Sequence, residues 1–295
     1  MKSGLQRKER MAGYLFLLPN LAGFLVITAF PIIAGFYLSF TNYDGFRQMD
    51  FVGLDNYIRM FRDDYFTISL KNNLVYTFSC VPLTIFLALM FALALNQRIP
   101  GKTLFKTVYF FPTITSMVAV SIIWSMLFHP TMGPINTVLM AMGIKNPPKW
   151  LVSSDWAMVA VIAVSVWKMA GYYMIMILAG LQSIPRHLYE AADIDGANAW
   201  KKFWNVTWPM LSPTMFMVTI LCMIQSFQVF DLVYIMTEGG PGRATNVLVY
   251  RIYQEGFTYL KYGYASALAY VLFLIIFVIT LIQFRGQKKW VTYMQ

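Results

Sequence analysis

The sequence predicts an all-α membrane protein that crosses the bilayer with six helices. Of its 295 residues, 58% are hydrophobic and 12% are charged, whereas an ordinary soluble domain carries about 25% charged residues. Several apolar runs reach the roughly 20 residues that a helix needs to cross the hydrocarbon core. Composition and run length therefore favour a multi-pass membrane protein over a soluble enzyme.

The predicted spans are six apolar runs separated by charged or turn-forming residues. They cover residues 12–40, 74–95, 107–128, 156–181, 211–236 and 264–284. The first run follows a basic start, as a signal peptide does, but it is far longer than the roughly 7–15 residues of a signal sequence and has no clear cleavage site. It is therefore expected to remain as an uncleaved first span.

The distribution of charge predicts the orientation, because six spans place both termini on one side. The loops on that side carry 13 Lys and Arg and four acidic residues, whereas the opposite loops carry nine and eight. By the positive-inside rule, both termini and the segments 96–106 and 182–210 are expected to be cytoplasmic.

Other function classes find little support. The net charge of +10 comes mostly from basic residues beside apolar runs, which indicates membrane topology and no nucleic-acid partner. Cys80 and Cys222 both lie within apolar runs, so they give no disulfide framework. His129 and His187 fall on opposite sides of the predicted topology and cannot share a metal site. The sequence therefore predicts no catalytic residue and no metal site.

Residues 182–210 form a charged segment between the fourth and fifth spans. A helix is expected to start after Pro185, to turn at Gly196, and to be followed by a second short helix from Asn198 to Pro209. From geometry alone, this hairpin is either a connector lying on the membrane surface or a docking element for a soluble partner. The aromatic residues that share one face of its second helix are Trp200, Phe203, Trp204 and Trp208.

The charged segment also carries a family resemblance. It matches the pattern E-A-A, two residues, D-G-A, eight residues, I-x-L-P, with two substitutions near its end. This pattern resembles the EAA loop of bacterial ABC-importer permeases, the cytoplasmic element that couples the transmembrane subunit to its ATPase. Val206 and Trp208 replace the Ile and Leu of that pattern and keep both positions apolar. The resemblance implies ATPase coupling by Glu190, Ala191, Ala192, Asp195, Gly196, Ala197 and Pro209.

The resemblance extends over most of the chain. The stretches WKMAGYYMIMILAGLQSIP and FQVFDLVYIMTEGGP are similar to carbohydrate-importer permeases of the maltose and glycerol-3-phosphate branch. This implies one transmembrane permease domain over residues 1–295, with residues 182–210 as its coupling loop, in a bacterial inner or plasma membrane. It also implies a second similar permease, two ATPase subunits that hold ATP and Mg²⁺, an extracellular substrate-binding protein and a sugar substrate. The chain itself is expected to hold no cofactor.

Two ionisable residues within the spans are candidates for the substrate path. Lys168 lies in the fourth run and Asp231 in the fifth, and such groups are costly in a bilayer unless they pair or meet water. They either line a polar path or pair with each other. An alternative function is an ion-coupled secondary transporter acting as a single chain, with these two residues as its coupling groups.

Amide and aromatic residues complete the candidate path. Gln225, Gln228 and Asp231 recur every three residues, so they are expected on one face of the fifth helix, where they either line the path or join helices. The aromatic rings that could stack on sugar rings, or simply pack, are Trp167, Tyr172 and Tyr173. The sequence therefore predicts a permease subunit of a binding-protein-dependent sugar importer.

Overall fold

The computed structural model describes residues 2–46, 49–97, 99–288 and 290–292. Within these ranges the chain is helical, and its extended pairing is limited to an isolated antiparallel bridge between Thr41 and Phe51. The all-α prediction is confirmed. Arg47, Arg98 and Lys289, which contributed to the predicted orientation, lie outside the described residues.

The helices follow one another along the chain, and π-helical segments join some of them. They are α1 (Lys2–Gly23), a π segment (Phe24–Ala29), α2 (Phe30–Leu38), α3 (Asp55–Phe61), α4 (Asp64–Asn96), α5 (Lys102–Ile114), α6 (Met117–Leu127), α7 (Pro134–Ala141), α8 (Ser154–Gln182), α9 (Arg186–Ile194), α10 (Ala199–Lys202), a π segment (Phe203–Thr207), α11 (Trp208–Phe227), α12 (Asp231–Met236), α13 (Leu248–Tyr253), a π segment (Gln254–Thr258) and α14 (Tyr262–Gln287).

The candidate spans agree with the predicted number. Within the described ranges, five helical stretches are long and apolar enough to cross a membrane, and the bent pair α5–α6 makes a sixth when it is counted as one span. The five are Met11–Leu38, Asp64–Asn96, Ser154–Gln182, Ala199–Met236 and Tyr262–Gln287.

The chain separates into two compact units. The first holds the residues up to Asp63 together with Ile252–Val271, and the second holds Asp64–Arg251 together with the residues from Leu272 onward. In the first unit, Asn56 donates its side-chain amide to the carbonyls of Ser39 and Thr41, 2.9 and 2.8 Å away. These bonds fix the turn after the first span to helix α3.

The core of the second unit forms around α8, the most buried of the spanning helices. Helix α4 packs along it and α11 packs against both, with apolar side chains filling the interface. Glycine permits the closest approach, because a Cβ atom at Gly171 would lie 1.9 Å from the carbonyl oxygen of Tyr109 in α5. Backbone packing of this kind is common where small residues face a neighbouring membrane helix.

The third predicted span, residues 107–128, is wrong as a single helix. Helices α5 and α6 are bent by 99°, because Thr115 and Ser116 adopt ψ angles of 150° and 136° that end α5 and restart the helix at Met117. The Thr115 hydroxyl donates to the carbonyl of Pro112 at 2.6 Å and so satisfies one group that the break leaves without a helical partner. Hydropathy alone could not locate this break, because both arms are apolar.

The fifth predicted span ends at Met236, as expected, but its helix is interrupted before that end and starts earlier than residue 211. Helix α11 stops at Phe227, and α12 begins only at Asp231. At the other end, the second short helix does not stop at Pro209, since α10 continues through the π segment into α11. The wide turn of a π segment accommodates Pro209, which has no N–H to donate. The result is one continuous helical rod from Ala199 to Phe227.

Candidate functional site

A small cavity with a mixed polar and apolar lining lies in the second unit, where α4 and α8 meet the break between α11 and α12. Its volume is about 270 Å³, and its lining includes four of the seven predicted path residues. These are Tyr173, Gln225, Gln228 and Asp231. Trp167, Lys168 and Tyr172 do not belong to this lining.

Hydrogen bonds fix the orientation of one amide in the cavity. The Tyr173 hydroxyl, on a fully buried side chain, donates to Oε1 of Gln225 at 2.9 Å. Because the amide oxygen is thereby engaged, the amide nitrogen of Gln225 is the atom that can donate to a solute. The cavity thus presents a donor whose direction is set by a rigid aromatic side chain.

The predicted ridge of Gln225, Gln228 and Asp231 is wrong as a helical face. Gln228 follows the last residue of α11 with φ of −97° and ψ of 14°, and Phe230 leaves the helical region with φ of −142°. The three polar side chains are nevertheless exposed and line the same cavity. The three side chains were expected to meet on one face of a straight helix. They meet instead at the break between α11 and α12.

Sequence reasoning missed several polar members of the lining, among them Tyr76 and Ser165. Tyr76 of α4 is buried and its hydroxyl donates to Oγ of Ser165 in α8 at 2.6 Å. Both residues line the cavity. Neither stands out in the sequence, because a single hydroxyl within an apolar run is also what helix packing uses.

Lys168 is engaged elsewhere. Its side chain is 4% exposed, and Nζ donates to the carbonyls of Pro112 at 3.0 Å and Thr115 at 2.6 Å, at the bend between α5 and α6. Among the described residues, its ammonium forms no ion pair with Asp231. Lys168 thus ties α8 to the broken span, since it pairs the Thr115 carbonyl and adds a second hydrogen bond to the Pro112 carbonyl, which the Thr115 hydroxyl also contacts.

The two remaining aromatic candidates have different surroundings. Trp167 lines an apolar groove between α4, α5 and α8, and its ring meets that of Trp124 edge-on at 5.3 Å. Tyr172 is half-buried and packs edge-on against Tyr173 at 5.1 Å. Both rings are engaged with neighbouring aromatic rings.

The charged segment forms a helical hairpin, as its sequence indicates. Helix α9 is followed by Gly196 at φ of +68°, and the Ala197 N–H donates to the Ala192 carbonyl at 2.9 Å. Asn198 then caps α10 by accepting from the N–H of Lys201 at 2.9 Å. The glycine turn and its two flanking helices are therefore confirmed, whereas the end of the second helix is not.

One face of this hairpin, the anchored face, carries polar contacts that hold the hairpin together, whereas the other, the bare face, carries exposed apolar side chains. On the anchored face, the Tyr189 and Thr207 hydroxyls are 2.9 Å apart, and Asp193 pairs with Lys202 across the turn. On the bare face, Ile194 is 88% exposed and Trp200 is 69% exposed. Large apolar side chains exposed beside charged ones are typical of a surface that contacts a protein or a membrane.

The other residues of the EAA pattern differ in exposure. Glu190, Ala191 and Asp195 are exposed, whereas Ala192 of α9 and Ala197 of the turn are half-buried. Pro209 lies within the continuous rod, and its carbonyl accepts from the hydroxyl of Ser212 at 2.6 Å.

A bundle of apolar spans with a partly polar cavity and an exposed charged hairpin fits the transmembrane subunit of a membrane transporter. The chain belongs to the family described as binding-protein-dependent transport system inner membrane component, whose model matches residues 72–289. It is therefore a multi-pass membrane permease that carries no catalytic role of its own. This membership sets aside the single-chain, ion-coupled alternative.

Relatives agree with this assignment over nearly the whole chain. The probable ABC transporter permease protein YesP of Bacillus subtilis is 38% identical, with 99% of this chain and 95% of the relative covered. The lactose transport system permease protein LacF of Rhizobium radiobacter is 36% identical, with 98% of each chain covered.

A solved structure shares the fold. It is a chain of a bacterial ABC transporter involved in the import of the acidic polysaccharide alginate, with a TM-score of 0.83 and 24% identity. The match covers 98% of this chain and 99% of the other.

Proposed function

We propose that this permease forms half of the translocation path for a sugar or oligosaccharide in an ABC importer. The observation that carries the proposal is the cavity, where an oriented amide, a second amide and tyrosine hydroxyls stand beside aromatic rings. Hydroxyl-rich solutes need this combination of hydrogen-bonding groups and flat apolar surfaces. Relatives named for lactose and for trehalose and maltose transport support the same substrate class.

The complete importer contains a second similar permease, two ATPase subunits and an extracellular substrate-binding protein. ATP and Mg²⁺ are held by the ATPases, whereas this chain supplies a single permease domain over residues 1–295 with both termini in the cytoplasm. A transporter of the same fold has been solved with its periplasmic protein bound to an alginate pentasaccharide, which supports a binding-protein partner for this chain.

Residues 182–210 dock on the ATPase in this proposal. Glu190 makes a charged contact, and Gly196 holds the turn so that the exposed face of the hairpin meets a groove of the partner. The ATPases favour the outward-facing state when ATP is bound and release it after hydrolysis, a shift driven by their different affinities for the two states. The path residues Gln225, Gln228 and Asp231 lie at the far end of the hairpin's continuous rod or just beyond it.

Co-purification tests the assembly. The detergent-solubilised chain is purified from its native membrane as wild type and as Glu190→Lys, with Glu238→Lys as a charge-reversal control outside the hairpin. We expect an ATPase and a second permease to accompany wild type and the control, and the ATPase alone to be lost from Glu190→Lys. If every form purifies without partners, the proposed importer is wrong.

The Gln228→Leu substitution tests the cavity. We expect uptake to fall about fivefold, because a hydrogen bond of about 1 kcal/mol to the solute is removed. Complex assembly should be unchanged, since the Gln228 side chain is exposed. Uptake is measured in reconstituted vesicles, with Asn146→Leu as an amide-to-leucine control outside the cavity. Equal uptake by the two variants would mean that Gln228 makes no hydrogen bond to the solute that matters for transport.

A further inference from the structure

The cavity carries charge of one sign. Asp231 is the carboxylate in its lining, and among the described residues no Lys, Arg or His lines it. The other polar groups are amides, hydroxyls and thiols. The Asp231 side chain is exposed at the first residue of α12, so its carboxylate is accessible to a solute in the cavity.

The buried lysine of α8 does not offset this charge from within the cavity. The Lys168 ammonium is directed to the carbonyls of Pro112 and Thr115 and is almost fully buried there. It satisfies the end of α5, and turning it towards the cavity would abandon two hydrogen bonds in an apolar setting. The Lys168 ammonium therefore has a structural role at the end of α5, whereas the Asp231 carboxylate lines the cavity.

Two arginines that follow Asp231 in the chain also have other contacts. The guanidinium groups of Arg243, in the loop after α12, and of Arg251, in α13, lie over the ring of Tyr65, with their central carbons 3.7 and 4.4 Å from its centroid. Each cation–π contact favours this placement of the guanidinium group. Neither arginine lines the cavity, so these two residues do not supply an anion-binding partner for the site.

We propose that Asp231 makes this chain's part of the path selective for uncharged sugars against sugar acids and sugar phosphates. The inference rests on the proposed function and specifies its substrate class. A carboxylate repels an anionic solute, while the neutral groups beside it bind sugar hydroxyls equally well in both kinds of solute. Rejection by an unfavourable charge is a common basis of specificity.

Fold and family do not decide the charge of the substrate. The solved transporter of the same fold is involved in import of an acidic polysaccharide, while a relative at 36% identity is named for lactose. The fold is therefore shared between carriers of charged and uncharged substrates. Charge selection must come from individual side chains, and Asp231 is the charged one in this cavity.

The test measures the cavity's preference for cations over anions directly. Gln228→Cys is introduced with Cys80→Ala and Cys222→Ala, and the intact transporter is treated with a cationic and an anionic methanethiosulfonate reagent. The ratio of the two reaction rates reports the local potential. We expect Asp231→Asn to lower the cation-to-anion ratio about tenfold, because a cleft lined by one sign of charge concentrates counter-ions by that order.

Two controls keep the result interpretable. Asp231→Glu retains the charge and should retain the ratio, and an uncharged methanethiosulfonate should react equally in all variants if the cavity stays open. A ratio that is the same with Asp231 and Asp231→Asn would overturn the inference. This assay needs neither ATP nor sugar, whereas sugar-stimulated ATP hydrolysis by the same complex tests the proposed function, so the two failures are distinguishable.

Discussion

Gly196→Val is expected to uncouple ATP hydrolysis from sugar uptake. Gly196 has φ of +68°, a conformation that costs an L-residue about 1–2 kcal/mol and that β-branched residues tolerate poorly. The turn will relax, and the two helices of the hairpin will change their relative direction. We expect uptake to fall at least about tenfold, while ATP hydrolysis by the assembled complex continues.

A matched glycine separates coupling from general strain. Gly143 also has a positive φ, at +93°, and as at Gly196 no atom lies within 4 Å of an added Cβ. Gly143→Val therefore introduces similar backbone strain outside the hairpin. Uptake and ATP hydrolysis are measured on both variants in the same vesicles. Normal coupling in Gly196→Val, or equal loss of coupling in both, would contradict the proposed role of the turn.

Among the variants proposed for this protein, Gly171→Ala is expected to lower the free energy of unfolding most. An added Cβ would lie 1.9 Å from the Tyr109 carbonyl oxygen and 3.2 Å from the Phe110 Cα. Since both are backbone atoms, no side-chain rotation can relieve the contact, and α5 must move away from α8. Overpacking of this kind costs about 3 kcal/mol. The measurement is the midpoint of unfolding in mixed detergent micelles containing increasing dodecyl sulfate.

The control for this second variant is Gly286→Ala in α14. No atom lies within 4 Å of a Cβ at that position, so the substitution tests helix propensity without a new contact and should stabilise slightly. A midpoint for Gly171→Ala equal to that of Gly286→Ala would mean that α5 does not pack closely on α8.

The predictable parts of this protein are those determined by nearby residues. The turn at Gly196 follows from local backbone chemistry, since glycine adopts positive φ without steric cost. The number of spans follows from apolar length. In both cases the signal is contained within a few residues or within one run, so no knowledge of packing is needed.

The parts that could not be predicted depend on distant partners. The break after Thr115 is accompanied by the Lys168 ammonium, which reaches it from another helix. Gln228 reaches the cavity because α11 ends before it, although its spacing from Gln225 fits a helix. Tyr76 of α4 lines the cavity with its hydroxyl bonded to Ser165 of α8, a partner far away in the sequence. Hydropathy and residue spacing describe one helix at a time. They therefore do not predict contacts between helices or the residue at which packing ends a helix.

The continuous rod from Ala199 to Phe227 links the charged hairpin to the cavity mechanically. Its 29 residues span about 43 Å at the usual helical rise, so a tilt of about 5° displaces one end by about 4 Å relative to the other. The Tyr173–Gln225 hydrogen bond lies near the far end and spans 2.9 Å. A displacement of Gln225 by about 4 Å relative to Tyr173 would break this hydrogen bond. The presence or absence of the bond therefore reports whether the rod has tilted.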